Sequence, residues 1–274
     1  MEIRKKIQYE NNITVSETAK LIEDIAPLSL QESWDNSGMI IGFCSSDVKK
    51  IMTCLEITGA IVDEAITARV DMIITHHPMI FGSINSVRDS DPQGRWIMEL
   101  IRHGISVYSC HTPFDKAKGG NNDRIAELLG LSSVKNLKTD EEEYDIARMG
   151  RLKKPQTFMQ LIETAAGELQ MSVRNLRAVG DLDTVITNVG ICTGAGADMI
   201  EAAAAAGCQL FVTGDVKYHE AQTAHALGIC VLDAGHYGTE KFFASNMREK
   251  LEKKLPDDVE VIESHVNIDP FRVL

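Results

Sequence analysis

Short apolar, β-rich runs alternate with segments of helical spacing along almost the whole chain, which dictates an α/β layered fold with at least part of its sheet parallel. Thr14 and Glu17 form a T-x-x-E capping box ahead of Ala19, Leu21, Ile22 and Ile25, and Pro27 follows as a stop. The turn Trp34-Asp35-Asn36-Ser37-Gly38 leads into a strand at Met39–Ile41. Ile51–Ile57 reads as β, Ala60–Ala68 as helix, and Met72–Thr75 as a strand that stops at His76-His77-Pro78. A helix over Gln93–Arg102 and a strand over Ile105–Ser109 come next, the strand ending at Cys110-His111. Asn122 is placed to cap a helix running to Leu129, with Gly130 as its C′ residue.

The same rhythm recurs downstream. The acidic run Asp140–Glu143 reads as a solvated loop, because like charges repel and prefer water. The basic stretch Arg148–Lys154 reads as a solvated strand edge. Thr157 and Gln160 make a second capping box, opening a helix to about Leu169. Val185–Ile191, Leu210–Thr213 and Ile229–Leu232 are strands, separated by an alanine-rich helix ended by Gly207 and by a helix over Lys217–Leu227. Thr239 to about Lys253 is helical and Val259–Ile262 is the last strand.

A chain of 274 residues suffices for one large α/β domain or for two halves sharing a core. No apolar run reaches the roughly 18 residues that a membrane span needs. The stretch Met1–Asn12 is polar, lacks the apolar segment of a secretory signal, and reads as a short extension before the first helix. None of the six cysteines sits in a C-x-x-C pair, so free thiols in a reducing cytoplasm are expected, most of them as small core residues. Any metal must then be held by histidine and carboxylate. The net charge of −12 argues against nucleic acid, whose binding rests on clustered Lys and Arg. A bound cation would still let an acidic chain hold an anion.

Function in such folds lies just beyond the carboxyl ends of the strands. That rule directs attention to His76-His77, His111, Thr213-Gly214-Asp215 and His236. A weak internal repeat links them. One strand ends at Cys110-His111 with Asp115 four residues on, and another ends before His236 with Glu240 four residues on. Two such H-x-x-x-D/E units facing one cleft, with His76 and His77 diverging at their strand end before Pro78, would serve two cations. One carboxylate can bridge cations about 3.5–4 Å apart. Imidazole with carboxylate suits zinc, iron or manganese. A lone histidine is more often an ordinary surface or core residue, and His103, His225 and His265 are read that way.

Thr193-Gly194-Ala195-Gly196 is a G-x-G turn, but Met199 stands where a dinucleotide fingerprint needs its third glycine. Asp215 is nevertheless spaced for a ribose contact, while a tight turn or a phosphate at the helix N-terminus is the stronger reading. Lys217 and His219 lie on the same rim, as substrate contacts or as helix-surface residues.

Taken in order, Trp34-Asp35-Asn36-Ser37-Gly38, Thr75-His76-His77-Pro78-Met79-Ile80-Phe81, His111-Thr112-Pro113-Phe114-Asp115, Thr213-Gly214-Asp215 with Tyr218-His219, and Gly235-His236-Tyr237-Gly238-Thr239-Glu240 resemble the NGG-one-interacting factor three-like family. Its members are also called GTP cyclohydrolase I type 2 homologues. The resemblance spans residues 14 to 265 and implies two related α/β halves packed around a shared dinuclear metal cleft, in a toroidal homohexamer. It carries the ligand set onto His76, His77, Asp115, His236 and Glu240, with Glu240 bridging, and makes His111 a ligand or a residue that supports one. It implies an N-terminal half over residues 1–130, a connecting segment over 131–180 with no inserted domain, and a C-terminal half over 181–274. Pro113 and Phe114 depart from the types common in the family.

The reading that follows is a cytoplasmic hydrolase using two divalent ions per chain, with His111 or His219 as proton shuttle. Its substrate is a small, phosphate-bearing molecule, GTP being the one the resemblance suggests, opened at the purine C8 with release of formate. The alternative is a non-catalytic, ring-shaped metal-binding scaffold or regulatory protein. Single-stranded nucleic acid threading a ring fits the −12 charge poorly.

Overall fold

The structure, a computed structural model, describes residues 12–272, so the extension read at Met1–Asn12 lies outside the described residues except for Asn12. In chain order the elements are α1 (Val15–Glu23), β1 (Gly38–Ile41), β2 (Lys50–Cys54), α2 (Gly59–Ala68), β3 (Met72–Thr75), α3 (Pro92–Arg102), β4 (Ser106–Ser109) and α4 (Thr112–Lys116). Then come α5 (Asn121–Leu128), β5 (Leu131–Lys138), β6 (Glu143–Thr157), α6 (Phe158–Glu168), β7 (Arg177–Val179), β8 (Val185–Ile191), α7 (Ile200–Ala205), β9 (Leu210–Thr213), α8 (Tyr218–Leu227), β10 (Cys230–Asp233) and α9 (His236–Glu240). The chain closes with α10 (Phe243–Leu251) and β11 (Glu260–Glu263). No helix among the described residues is long and apolar enough to cross a membrane.

The chain forms two compact units, one running to Ala117 and resuming at Phe243–Ile268, the other spanning Lys118–Phe242 and taking up the chain again from Asp269. The first holds a five-stranded sheet ordered β1-β4-β3-β2-β11. Within it β4, β3, β2 and β11 run parallel, and β1 is antiparallel at the edge. The second holds a six-stranded sheet ordered β5-β6-β8-β9-β10-β7, in which β8, β9 and β10 are parallel and the pairs β5-β6, β6-β8 and β10-β7 are antiparallel. This division differs from the halves read at residues 1–130, 131–180 and 181–274. Strand β11 returns to pair with β2, so the first unit takes its last strand from the end of the chain. Strands β5 and β6 are not a connection either, since β6 hydrogen-bonds along β8 and extends the second sheet.

Both capping boxes form. Thr14 Oγ1 accepts from Glu17 N and the Glu17 carboxylate accepts from Thr14 N, opening α1. Thr157 and Gln160 do the same for α6, which turns Phe158, Leu161, Ile162, Ala165 and Ala166 inward. Asn122 does not cap α5, whose N-cap is Gly120. Its buried side chain instead accepts from Thr193 N and donates to Ile146 O, tying α5 to the sheet.

In β9, Leu210 and Val212 join a core with Phe158, Leu161 and Ile186, whereas Phe211 joins another with Ile200, Ala203 and Val231. Alternate residues entering different cores mark a sheet covered on both faces, which is why the parallel strands read as continuous apolar runs. Arg151, Lys153 and Lys154 are exposed, as a solvated stretch requires, but Arg148 and the pairing of β6 correct the reading of Arg148–Lys154 as a strand edge. Strand β6 is paired on both sides, and the guanidinium is buried, 2.7 Å from the Asp123 carboxylate. Asp140–Glu142 do lie exposed between β5 and β6, and Glu143 opens β6.

Candidate metal centre

In the first unit, β3 ends at Thr75 and delivers His76 and His77. Their backbone N–H groups donate to Leu55 O at 3.2 and 3.0 Å, and Thr75 Oγ1 donates to His77 O, fixing the strand end. Strand β4 ends next door, and His111 stands at the N-cap of α4. Donor atoms of His76, His77 and His111 all lie within 4.8 Å of one another, a group that could hold a metal ion. The ring centroids of His76 lie 5.0 Å from those of both His77 and His111.

Hydrogen bonding selects the atoms these rings present. His76 Nδ1 lies 3.1 Å from Cys110 O, a carbonyl that can only accept, so the proton is on Nδ1 and Nε2 carries the lone pair. His111 Nδ1 donates to Asp35 Oδ1 at 2.9 Å, with the same result. Holding the remote nitrogen in this way orients an imidazole for ligation and fixes its tautomer. Asp35 is buried, and burial alone would raise its pKa. Hydrogen bonds from His111, Thr112 and Ser37 outweigh that cost and hold the carboxyl well below its ordinary value. The backbone N–H groups of Asn36 and Thr112 donate to it as well. Asp115, on α4, places Oδ1 3.6 Å from His76 Nε2, and His77 Nδ1 lies 4.0 Å from Glu56 Oε2. Burial pushes the Cys54 and Cys110 thiols far above their ordinary range, which keeps them protonated and poor as ligands.

The second unit repeats the motif on its own elements. Strand β10 leads into α9, where His236 and Glu240 are one turn apart and His236 Nε2 lies 3.0 Å from Glu240 Oε2. His236 Nδ1 is held by Asp215 Oδ2 at 2.7 Å, and Asp215 adopts a left-handed φ of 55° at the end of β9. Asp215 is therefore the residue that orients His236, which replaces the ribose contact its spacing suggests. The G-x-G turn has a local reason too. Gly194 has φ of 67°, its N–H donates to Thr239 Oγ1 at 2.9 Å, and a Cβ there would strike the Glu240 carboxylate. Gly214 is just as constrained, for its Cβ would come within 2.6 Å of Gly235 C.

Of the sequence-predicted residues, His76, His77, His111 and Asp115 come together in one unit, and His236 and Glu240 in the other. His219 lies on the exposed first turn of α8, its ring edge-on to Tyr218. Lys217 is the N-cap of that helix, and its N–H donates to Glu220. Asp35, Glu56 and the Cys110 carbonyl carry no role in the sequence reading. The D-N-S-G turn was the one available signal for Asp35.

An α/β chain of two sheet-bearing units carries imidazoles oriented by carboxylate and carbonyl partners at its strand ends, in groups that could hold a metal ion. The chain belongs to the Duf34/NIF3 (NGG1p interacting factor 3) family, whose model matches residues 13–270. A Clostridium perfringens protein named GTP cyclohydrolase 1 type 2 homolog is 34% identical over 262 residues, covering 95% of this chain and 99% of that one. A Helicobacter pylori protein named GTP cyclohydrolase 1 type 2 is 36% identical over 240 residues, covering 86% and 91%. The crystal structure of a Bacillus cereus protein related to NIF3 shares the fold, with a TM-score of 0.89 at 23% identity over 97% of this chain and 100% of that one.

Proposed function

We propose that this protein is a dinuclear metal-dependent hydrolase acting on a phosphate-bearing small molecule, with GTP as the first substrate to test. The observation that carries the reading is the repeated device of Nδ1 held and Nε2 presented, seen at His76, His111 and His236. Three residues oriented this way, with Asp115 and Glu240 beside them, make a nitrogen and oxygen donor set suited to zinc, iron or manganese. The ligands proposed are His76, His77, Asp115, His236 and Glu240 for two divalent ions, with Glu240 bridging. His111 joins the set as a further ligand or as a proton shuttle, since Asp35 holds its Nδ1 and leaves Nε2 free for either role.

Bound divalent cations would supply an acidified water and positive charge for an anionic intermediate. The chain's own groups orient those ions and exclude thiolate competition, and His219, exposed on α8, is the proton donor proposed. For GTP the reaction is attack of one water at the purine C8, opening the imidazole ring to an N-formyl group, and hydrolysis of that formamide by a second water, releasing formate and leaving the amine. The name of the Helicobacter pylori relative supports that substrate. A cytoplasmic homohexamer completes the proposal.

The test is incubation of protein carrying a measured two metals per chain with GTP, reading formate release and loss of guanine absorbance. Turnover that vanishes in folded Glu240→Gln is the expected result. Silence at full metal content discards GTP hydrolysis and favours a metal-binding scaffold.

A further inference from the structure

Beside the three imidazoles the first unit carries two large aromatic rings that it does not bury. Trp34 is 55% exposed and Phe81 is 53% exposed. Their ring centroids are 6.0 Å apart and tilted by 35°, so together they form a broad, nearly continuous apolar surface. Each also meets the His111 ring edge-on, at 5.9 and 6.2 Å. The surface therefore begins where the metal-holding nitrogens end.

The two rings come from separate loops that are fastened to one another. Asn36 Nδ2 donates to Ile80 O at 2.6 Å, joining the turn that carries Trp34 to the loop that carries Phe81. Gln93 on α3 donates to Met79 O, and Asp35 locks the turn to His111 and Thr112. Such fixing leaves the rings exposed yet orders them, which lowers the entropy cost of stacking a flat ligand on them.

We infer that Trp34 and Phe81 form a stacking platform for the planar heteroaromatic ring of the substrate, a purine base, holding it against the His111 edge of the metal cluster. The inference rests on the nucleotide reading above and assigns base recognition to two residues outside the ligand set. Aromatic faces recognise a base through its π surface, and alanine substitution of one such ring typically weakens binding about tenfold.

Calorimetric titration of metal-loaded full-length protein with guanosine, and separately with ribose 5-phosphate, tests it. Trp34→Leu and Phe81→Leu are expected to weaken guanosine binding about tenfold each, while Trp34→Phe and Phe81→Tyr stay within about twofold. Metal content and ribose 5-phosphate affinity should not change. No guanosine binding by the native protein, equal affinity in every variant, or an equal loss for ribose 5-phosphate would overturn the platform. So would a changed assembly state in the leucine variants with guanosine binding intact, which would make the rings an interface between copies. Because binding is read without turnover, a silent enzyme with a base-specific loss removes the hydrolase and leaves the platform. Turnover indifferent to both rings does the reverse.

Discussion

Asp35 shows how a single carboxylate can set the character of a candidate metal site it need not touch. It accepts hydrogen bonds from His111 Nδ1, Ser37 Oγ, Thr112 Oγ1 and two backbone N–H groups, so its oxygens are saturated and His111 cannot rotate or change tautomer. Asp35→Asn replaces one acceptor oxygen by a donor and is expected to weaken metal affinity roughly 10- to 100-fold with the fold retained, measured by competition with a chromogenic chelator. The same carboxyl reports on acid stability. Its folded pKa lies below the ordinary 3.8, so its ionisation stabilises the fold fully above that value and ceases to do so as pH falls through the folded value. The stability gap between native protein and Asp35→Asn in urea should be flat above about pH 5 and shrink below about pH 4. His76, His77, His111 and Asp115 were legible as candidates because strand ends punctuated by proline or glycine are visible in one dimension. The partners that orient the rings were not, since Asp35 lies 76 residues from His111 and Asp215 lies 21 from His236. No local spacing encodes those pairs.

At the scale of elements, the strands that read most clearly are those buried on both faces. Met72–Thr75 and Leu210–Thr213, buried at every position, agree with the sequence boundaries residue for residue, because a short apolar run has few ways to be buried, and Val185–Ile191 agrees as well although Val185 is exposed. Strand β6 is the contrary case. Its Lys and Arg content suggested water on one side, and the structure instead inserts Arg148 between sheet and helix, where Nε meets Asp123 at 2.7 Å and Nη1 donates to Asp145 O at 2.6 Å. Pattern alone cannot separate an exposed arginine from one whose carboxylate sits on a helix 25 residues earlier. Removing one partner of a buried pair leaves the other uncompensated. Arg148→Met is expected to destabilise by about 3–5 kcal/mol, and the double variant with Asp123→Leu to recover most of it, in urea unfolding followed by circular dichroism. A double variant as unstable as the single would show that Arg148 acts through its backbone-carbonyl bonds instead.

For the whole molecule, the chain leaves its first unit after Ala117 and re-enters at Phe243, and β11 completes the first sheet before the chain passes back to the second unit at Asp269. Linear reading assigned β11 to a C-terminal half because strand order within a sheet is not written in strand order along the chain. Assembly is the remaining question at this scale, and charge bears on it. Each chain carries −12, and bringing six such chains into the proposed hexamer would cost electrostatic free energy that salt screens. Two divalent ions per chain would offset four of those charges, so metal loading and salt should act in the same direction. Light scattering of the metal-loaded protein near 0.15 M salt is expected to give six times the 30.2 kDa chain mass. At about 0.01 M salt, where the screening length grows to roughly 30 Å, smaller species should gain ground, more so after chelation. A mass that rises as salt is removed would mean that association runs through complementary charged patches, and the argument from net charge would fall.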